Sequence, residues 1–407
     1  MSSFSIALSG LTASSSNLDV TANNIANANT VGFKGSRAEF ADVYASGAVN
    51  LNTSVTGEGV RLASTAQQFT QGNISTSSSN LDLAISGDGF FTLKSSNGIV
   101  YSRNGQFAED SNGNVVSSTG QALQVYPPLV NGGFNTGALT DLNLQTAQSA
   151  PQATTTGTVI LNFPAGSTVP AVAPFNPTNS LTYNQSTSTT VYDSLGNAFP
   201  ATLFFTQTAA PNVVTVNMTV NGTTVGAGQN LTFSNTGAVT LPAGGGLTFA
   251  GFVPPDGAQA MTMNFNFGQT TQYGGSFGVT SITQNGYATG QLSTVAIDTA
   301  GIVSAVYTNG RSTQLGQLAM ANFPNPQGLK QLGDTNWSET FTSGNVVSGT
   351  AASAGFGSIQ SGALESSNVD LTTELVNMIT AQRSFDANAQ VITTANQESQ
   401  TVIQAAH

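Results

Sequence analysis

The sequence predicts a mainly β protein with α-helical termini, organised as nested domains. Three observations carry this. Apolar side chains recur at helical spacing at each end of the chain and nowhere else. The long middle is rich in Gly, Thr, Asn and Val, with apolar–polar alternation. Asn-Gly pairs, the strongest short hairpin signal, punctuate that middle repeatedly.

The first helix is expected from Ser2 or Ser3, either of which can cap it, to about Asn27–Thr30. Its stripe is Phe4, Ala7, Leu8, Leu11, Leu18, Ala22 and Ile25. Gly10, Ser14, Ser15, Ser16 and the Asn23-Asn24 pair lower its intrinsic helicity. Residues 31–70 carry Gly32, Gly35, Gly47, Gly57 and Gly59 and are expected to be extended. From residue 74 the β pattern is firm: Leu81 to Ile85 alternates, Asp88-Gly89 turns, and Phe90 to Leu93 follows. Asn97-Gly98, Asn104-Gly105, Asn112-Gly113, Asn131-Gly132, Asn221-Gly222, Asn285-Gly286 and Asn309-Gly310 are the expected turns. The Ala-, Thr- and Pro-rich stretch at 146–180 predicts a linker or long surface loop. A second β unit is expected from Val191 to about residue 284, and strands resume over 291–323.

The last helix is expected to start near Ser367–Asp370, with Ser367 or Asp370 as cap. Its stripe is Leu371, Leu375, Met378, Phe385, Ala389, Ile392 and Ile403. Two terminal stripes of this kind suit helices that pair as a coiled-coil-like inner domain, beneath two outer β domains. The nested scheme is 1–30 with 366–407 as the helical core and 31–72 with 343–365 as connecting segments. Residues 73–145 with 285–342 form a β domain, and 146–284 an outer inserted β domain.

Composition narrows the function. Of 407 residues, 39% are hydrophobic but only 7% are charged, against roughly 25% in average soluble domains. A surface of Ser, Thr, Asn and Gln packs readily on copies of itself, because few ions must be desolvated. A net charge of −11 with eight Lys and Arg speaks against nucleic acid. Residues 1–12 hold no continuous apolar core of a cleavable export signal, and no apolar run reaches membrane-spanning length, so no membrane insertion is expected.

Catalysis finds little support. The single His is His407, and there is no Cys, so neither a Ser-His-Asp site, a thiol site nor a zinc helix is expected. No phosphate-cradling or dinucleotide fingerprint occurs. Asp110-Ser111-Asn112-Gly113-Asn114 places its Gly fourth rather than sixth for a calcium loop, and reads as a hairpin. No catalytic residue, metal or cofactor is therefore expected. The terminal stripes admit two readings: core helices of a monomeric domain, or helices completed by neighbouring copies. Their presence at both ends, with so little charge between them, favours assembly.

Two segments then resemble known signatures. Residues Asn17 to Lys34, with Asn23, Asn24, Asn27, Gly32 and Phe33, resemble the N-terminal signature of the bacterial flagellar rod and hook axial protein family. Ser367 to Leu371, with Asn368, Val369 and Asp370, followed by Glu374 to Ile379 and Ala381 to Phe385, resemble its C-terminal signature. Leu83 to Phe91 and Tyr101 to Phe107 are similar to the family's β domain, and Val191 to Asn197 to the outer domain of hook subunits. Phe385 stands where the family often has Tyr. The outer insertion and Ala38 to Tyr44 point to the hook branch, with a distal rod subunit as alternative.

The resemblance implies a subunit of a tubular helical polymer in the hook of the bacterial flagellum, outside the cell. It would polymerise with itself and transmit torque from rod to filament as a universal joint. Its implied partners are the distal rod protein, the hook cap protein, a hook–filament junction protein and the flagellar type III export apparatus. On this view Leu8, Leu11, Leu18, Ile25, Leu371, Leu375, Met378, Phe385, Ile392 and Ile403 serve the polymerising helices, and Gly57 and Gly59 are flexible connectors. A secreted β-rich adhesin or binding module is the remaining alternative.

Overall fold

A computed structural model describes residues 2–43, 57–145 and 148–405. The side chain of Ile403, and His407, lie outside the described residues. The first helix, α1, spans Ser2–Ala26, and the last, α2, spans Leu371–Ala405. Between them the described chain is almost entirely β. Two compact units result: residues 1–146 with 295–305 and 313–407, and residues 147–294 with 306–312.

In the first unit, the early and late parts of the chain pair strand by strand. Leu83–Ser86 runs antiparallel to Ser358–Ser361, and Ile74–Thr76 to Ala363–Glu365. A larger sheet orders Ser312–Asn322, Ala122–Tyr126, Phe90–Ser95, Gly98–Ser102, Asn336–Ser338 and Lys330–Gly333. Its core holds Leu83, Ile85, Phe91, Leu93, Leu123, Val125, Leu318, Met320 and Ile359. A second cluster sets Phe90, Tyr101, Phe323 and Trp337 edge to face, with ring centroids 4.9–6.0 Å apart.

The connecting segments are not free extended chain. Strand β1 (Ser36–Val43) pairs antiparallel with β2 (Gly59–Gln67), with a bulge between Glu39 and Phe40. Gly59 opens β2 opposite Val43 at φ +113, and a Cβ there would sit 2.2 Å from Ser9 Oγ of α1. It is a close-approach residue rather than a hinge; Gly57, next to it, is exposed and has room. The stretch 343–365 likewise places Ala351, Ile359 and Ala363 in the buried core.

The second unit is a β-sandwich. One sheet orders Gly246–Phe252, Met261–Asn266, Thr156–Asn162 and Gly278–Gln284. The other orders Gln185–Tyr192, Ala198–Gln207, Val213–Val220, Gln229–Phe233 and Val239–Leu241. Alternate residues of both faces, among them Val159, Leu161, Leu203, Phe205, Val216, Met218, Phe249, Met263 and Phe265, make one core. The expected linker at 146–180 is thus interrupted by a buried strand. Val159 and Leu161 supply the apolar alternation that its Pro and Thr content masks.

This unit extends past residue 284, and 306–312 joins it because Asn309 Nδ2 donates to Ala288 O at 2.9 Å.

Of the seven Asn-Gly pairs, Asn221-Gly222 has both residues at positive φ, as a type I′ turn requires. Asn104-Gly105 is not a hairpin turn. Gly105 lies under the chain, where a Cβ would come 1.7 Å from the Leu83 carbonyl oxygen.

Gly105→Ala is therefore expected to destabilise the first unit by about 1–3 kcal/mol in urea unfolding. Gly166→Ala, with open space and ordinary φ, should be neutral or stabilising by up to about 1 kcal/mol.

Candidate assembly site

The terminal helices run antiparallel. A Cβ on Gly10 would lie 2.7 Å from Asn388 Oδ1, and Asn24 Nδ2 donates to Glu374 Oε1 at 3.3 Å. On α1 the buried positions are Ala7, Ser14, Thr21 and Asn24, small or polar and spaced by sevens and a three. On α2, Glu374, Met378, Ala381, Phe385, Asn388, Ile392 and Ala395 are buried or half-buried, at steps of four and three. The in-chain seam is therefore a close helix approach over small residues, with Met378, Phe385 and Ile392 supplying its bulk.

The predicted stripe divides. Met378, Phe385 and Ile392 belong to the seam, and Leu11, Leu18 and Ile25 are half-buried. Leu8, Leu371 and Leu375 keep 48%, 44% and 47% of their surface exposed, so the seam does not bury them. Phe4, Val376, Ile379 and Val391 are exposed as well. A pair of helices with this much apolar surface in water carries an unfilled contact.

Beneath the helices, the two signatures meet. The Asn24 carboxamide pairs with the Ser36 backbone, accepting from N at 2.8 Å and donating to O at 2.7 Å. Asn368 does the same for two strands, accepting from Gly35 N at 2.8 Å and donating to Gln68 O at 2.7 Å and Thr70 O at 3.1 Å. Asn27 closes α1: its Nδ2 donates to Asn23 O, and its Oδ1 accepts from Thr30 Oγ1. Asn23 itself is exposed and contributes that carbonyl. Gly32, at φ +70, donates its N–H to Glu365 O, and a Cβ there would meet Asn104 N at 2.5 Å. Phe33 is buried beside it in sequence, and Val369 packs against Gly35, 3.1 Å from where a Cβ would stand. Asp370 caps α2 by accepting from Thr373 N at 2.7 Å, which holds its carboxyl below the usual range.

Sequence reasoning quoted Lys34 and Arg103 only as parts of signatures and passed over Glu365. The three form a buried ion cluster. Lys34 Nζ lies 2.6 Å from Glu365 Oε1, and Arg103 Nη1 3.2 Å from Glu365 Oε2. Lys34 also donates to Thr70 O, Arg103 Nη2 to Gly87 O, and Gly72 N to Glu365 Oε1, each at 2.8 Å. Burial pushes both the Lys34 ammonium and the Arg103 guanidinium down, with Glu365 pulling each back. Scarcity was the available signal: with eight cations in the chain, one flanked by Phe33 and Gly35 is a candidate for burial.

Asp110, Asp193 and Asp298 each cap a tight turn by accepting from the backbone N–H groups two and four residues on. That is turn chemistry. Among the described residues, no group of three or more His, Asp or Glu side chains could hold a metal ion.

Comparison with known proteins follows this geometry along the chain. Four family models match. They are "Flagella basal body rod protein" at 4–34, "Flagellar hook protein FlgE/F/G D1 domain" at 84–161, "Flagellar basal body protein FlaE D2 domain" at 161–287 and "Flagellar basal body rod FlgEFG protein C-terminal" at 360–405. The flagellar hook protein FlgE of Escherichia coli is 39% identical, covering 98% of this chain and 99% of that protein. That of Borreliella burgdorferi is 32% identical, covering 96% of each. The crystal structure of Helicobacter pylori flagellar hook protein FlgE2 covers 72% of this chain and 100% of its own, with a TM-score of 0.52 at 14% identity, a likeness of fold.

Glu365→Gln leaves two buried cations without their anion, and is expected to cost about 3–5 kcal/mol in chemical unfolding. The Asp370 cap has a depressed folded pKa, so its contribution is present above the unfolded value of about 3.9 and lost as pH falls through the lower folded value. Amide exchange in the first turn of α2 should accelerate across that acid window, and Asp370→Asn, which keeps an acceptor, should flatten the response.

Proposed function

This chain belongs to the flagellar hook protein family, and from that premise we propose that it is the structural subunit of a bacterial flagellar hook. It assembles with copies of itself into a tube outside the cell and transmits torque from rod to filament as a universal joint. The observation that carries this reading is a relative of that name, 39% identical across 98% of the chain. The exposed apolar side chains of the paired helices support the self-assembly it requires.

In the assembled tube, those helices meet neighbouring helix pairs and bury Leu8, Leu371 and Leu375. Each leucine is already about half out of water, so burying the rest contributes about 1 kcal/mol, and many copies closing together hold the wall firmly. The β units present Ser, Thr, Asn and Gln, whose contacts with neighbours exchange through water at little cost. Such interfaces can shift register as the tube bends, where a network of ion pairs would fix one. The distal rod protein, a cap protein, a junction protein and the type III export apparatus are the partners this role implies.

The test is growth of purified full-length protein on sheared tube seeds, followed by electron microscopy. Tubes of uniform diameter support the reading; a soluble oligomer of fixed size would overturn it in favour of an adhesin-like module. Leu375→Asp should leave the monomer's unfolding transition unchanged, because Leu375 is already half in water. The same change should abolish elongation on wild-type seeds.

A further inference from the structure

Charge is nearly absent from the surface that assembly would cover, so the few charges there stand out. Asp19 is the only charged residue of α1, and Arg383 the only cation of α2. Both are exposed, and among the described residues neither takes part in an ion pair. Glu374 faces the seam, where Asn24 meets it. Asp386, one turn beyond Arg383, makes no ion pair with it.

At 100° per residue, Asp19 lies on the face of α1 that carries the exposed Leu8, Ala22 and Ala26, well away from Ala7, Ser14 and Thr21 of the seam. Arg383 lies on the face of α2 that carries the exposed Val376 and Ile379, well away from Ala381 and Phe385. Each helix thus offers a second face: that of α1 carries Asp19 alone, and that of α2 carries Arg383, with Asp386 60° around the helix.

We propose that Asp19 of one copy pairs with Arg383 of the next, and that this pair sets the register in which neighbouring helix pairs meet. The proposal rests on the self-assembly reading above. Copies in one tube point the same way, so α1 of one copy meets α2 of its neighbour antiparallel, as the two helices meet within a chain. With Asp19 opposite Arg383, the rest of both faces falls into place. Ala26 is seven residues after Asp19 and Val376 seven before Arg383, so they come opposite each other. Ala22 likewise comes beside Ile379. Small side chains then receive large ones. An exposed pair adds little affinity, but like charges set face to face in a closing interface are strongly unfavourable, which makes such a pair a register device.

The experiment uses full-length protein with Asp19→Arg, with Arg383→Asp, and with both. Elongation on seeds is read by light scattering and electron microscopy, and monomer folding by thermal unfolding. Each single reversal is expected to slow elongation roughly tenfold or more, an effect of about 1.4 kcal/mol. The double reversal should elongate on seeds of its own kind at close to the wild-type rate. All three should unfold like the wild type, since neither charge takes part in an ion pair among the described residues. Single reversals that elongate normally, or a folded double reversal without rescue, would overturn the register pair and leave the assembly reading standing. Wild-type protein that forms no tubes would overturn the assembly reading itself.

Discussion

The arrangement of the first unit depends on one buried cluster, Lys34, Glu365 and Arg103, whose side chains are 0%, 0% and 4% exposed. It joins three segments far apart in sequence. Burial moves Lys34 and Arg103 down despite Glu365 beside them, and the Arg103 Nε–H is buried without a partner. A buried ion cluster is weak evidence of stability, because desolvation offsets much of the attraction. Its effect is to exclude alternatives: any other pairing of the early and late strands would strand a charge in the interior. Lys34 follows α1 closely and Glu365 precedes α2 closely, so this one contact fixes where both helices leave the body. The Asn24 carboxamide, bound to the Ser36 backbone, and the Asn368 carboxamide, bound to backbone of the early arm of the chain, hold the same junction with neutral hydrogen bonds.

Given that junction, the helices pair in one register, and their faces divide the work. The seam uses Ala7, Gly10, Ser14 and Thr21 of α1, which allow close approach but bury little apolar area. Leucines that could have strengthened it point elsewhere. A chain optimised as a monomer would place Leu8, Leu371 and Leu375 in the seam and Ser14 and Thr21 outside. The reverse distribution keeps the isolated pair weak and reserves its hydrophobic side chains for contacts the single chain does not contain. This is the expected pattern when the ordering of the ends is coupled to association.

Much of this was legible in sequence, and the rest was not, for identifiable reasons. Helix extents, the Asp370 cap and the β character depend on local patterns, and α1, α2 and the Asp370–Thr373 bond follow them. The apolar period revealed that Leu371 and Phe385 lie on helical faces, but not which partner each face meets, so one list mixed seam residues with exposed ones. The extended segment at 31–72 became a hairpin because Ser36 pairs with Gln67, a contact no short window contains. The 343–365 stretch reads as flexible from its Gly and Ser, yet its strands are secured by residues near 75 and 85. Asn104-Gly105 failed as a turn because that glycine answers to a tertiary contact, the Leu83 carbonyl, rather than to a positive φ. The ion cluster was hidden because its three members come from distant segments, and only Lys34 carries a local signal of burial.

The same packing relocates the compliance that a bending tube needs. Gly59 is held against Ser9 of α1, and the 343–365 stretch is anchored in the core through Ala351, Ile359 and Ala363, so neither described stretch is the free chain that its glycines suggest. On the proposed hook role, contacts between copies are one place where lengthening and shortening along the tube can be taken up. There the composition is decisive. Ion pairs and interdigitated apolar side chains favour one register, while hydroxyl and carboxamide contacts re-form through water at small cost. A surface of Ser, Thr, Asn and Gln is yielding where copies meet. Low charge, an unusual trait for a soluble protein, is on this argument the mechanical property of the chain.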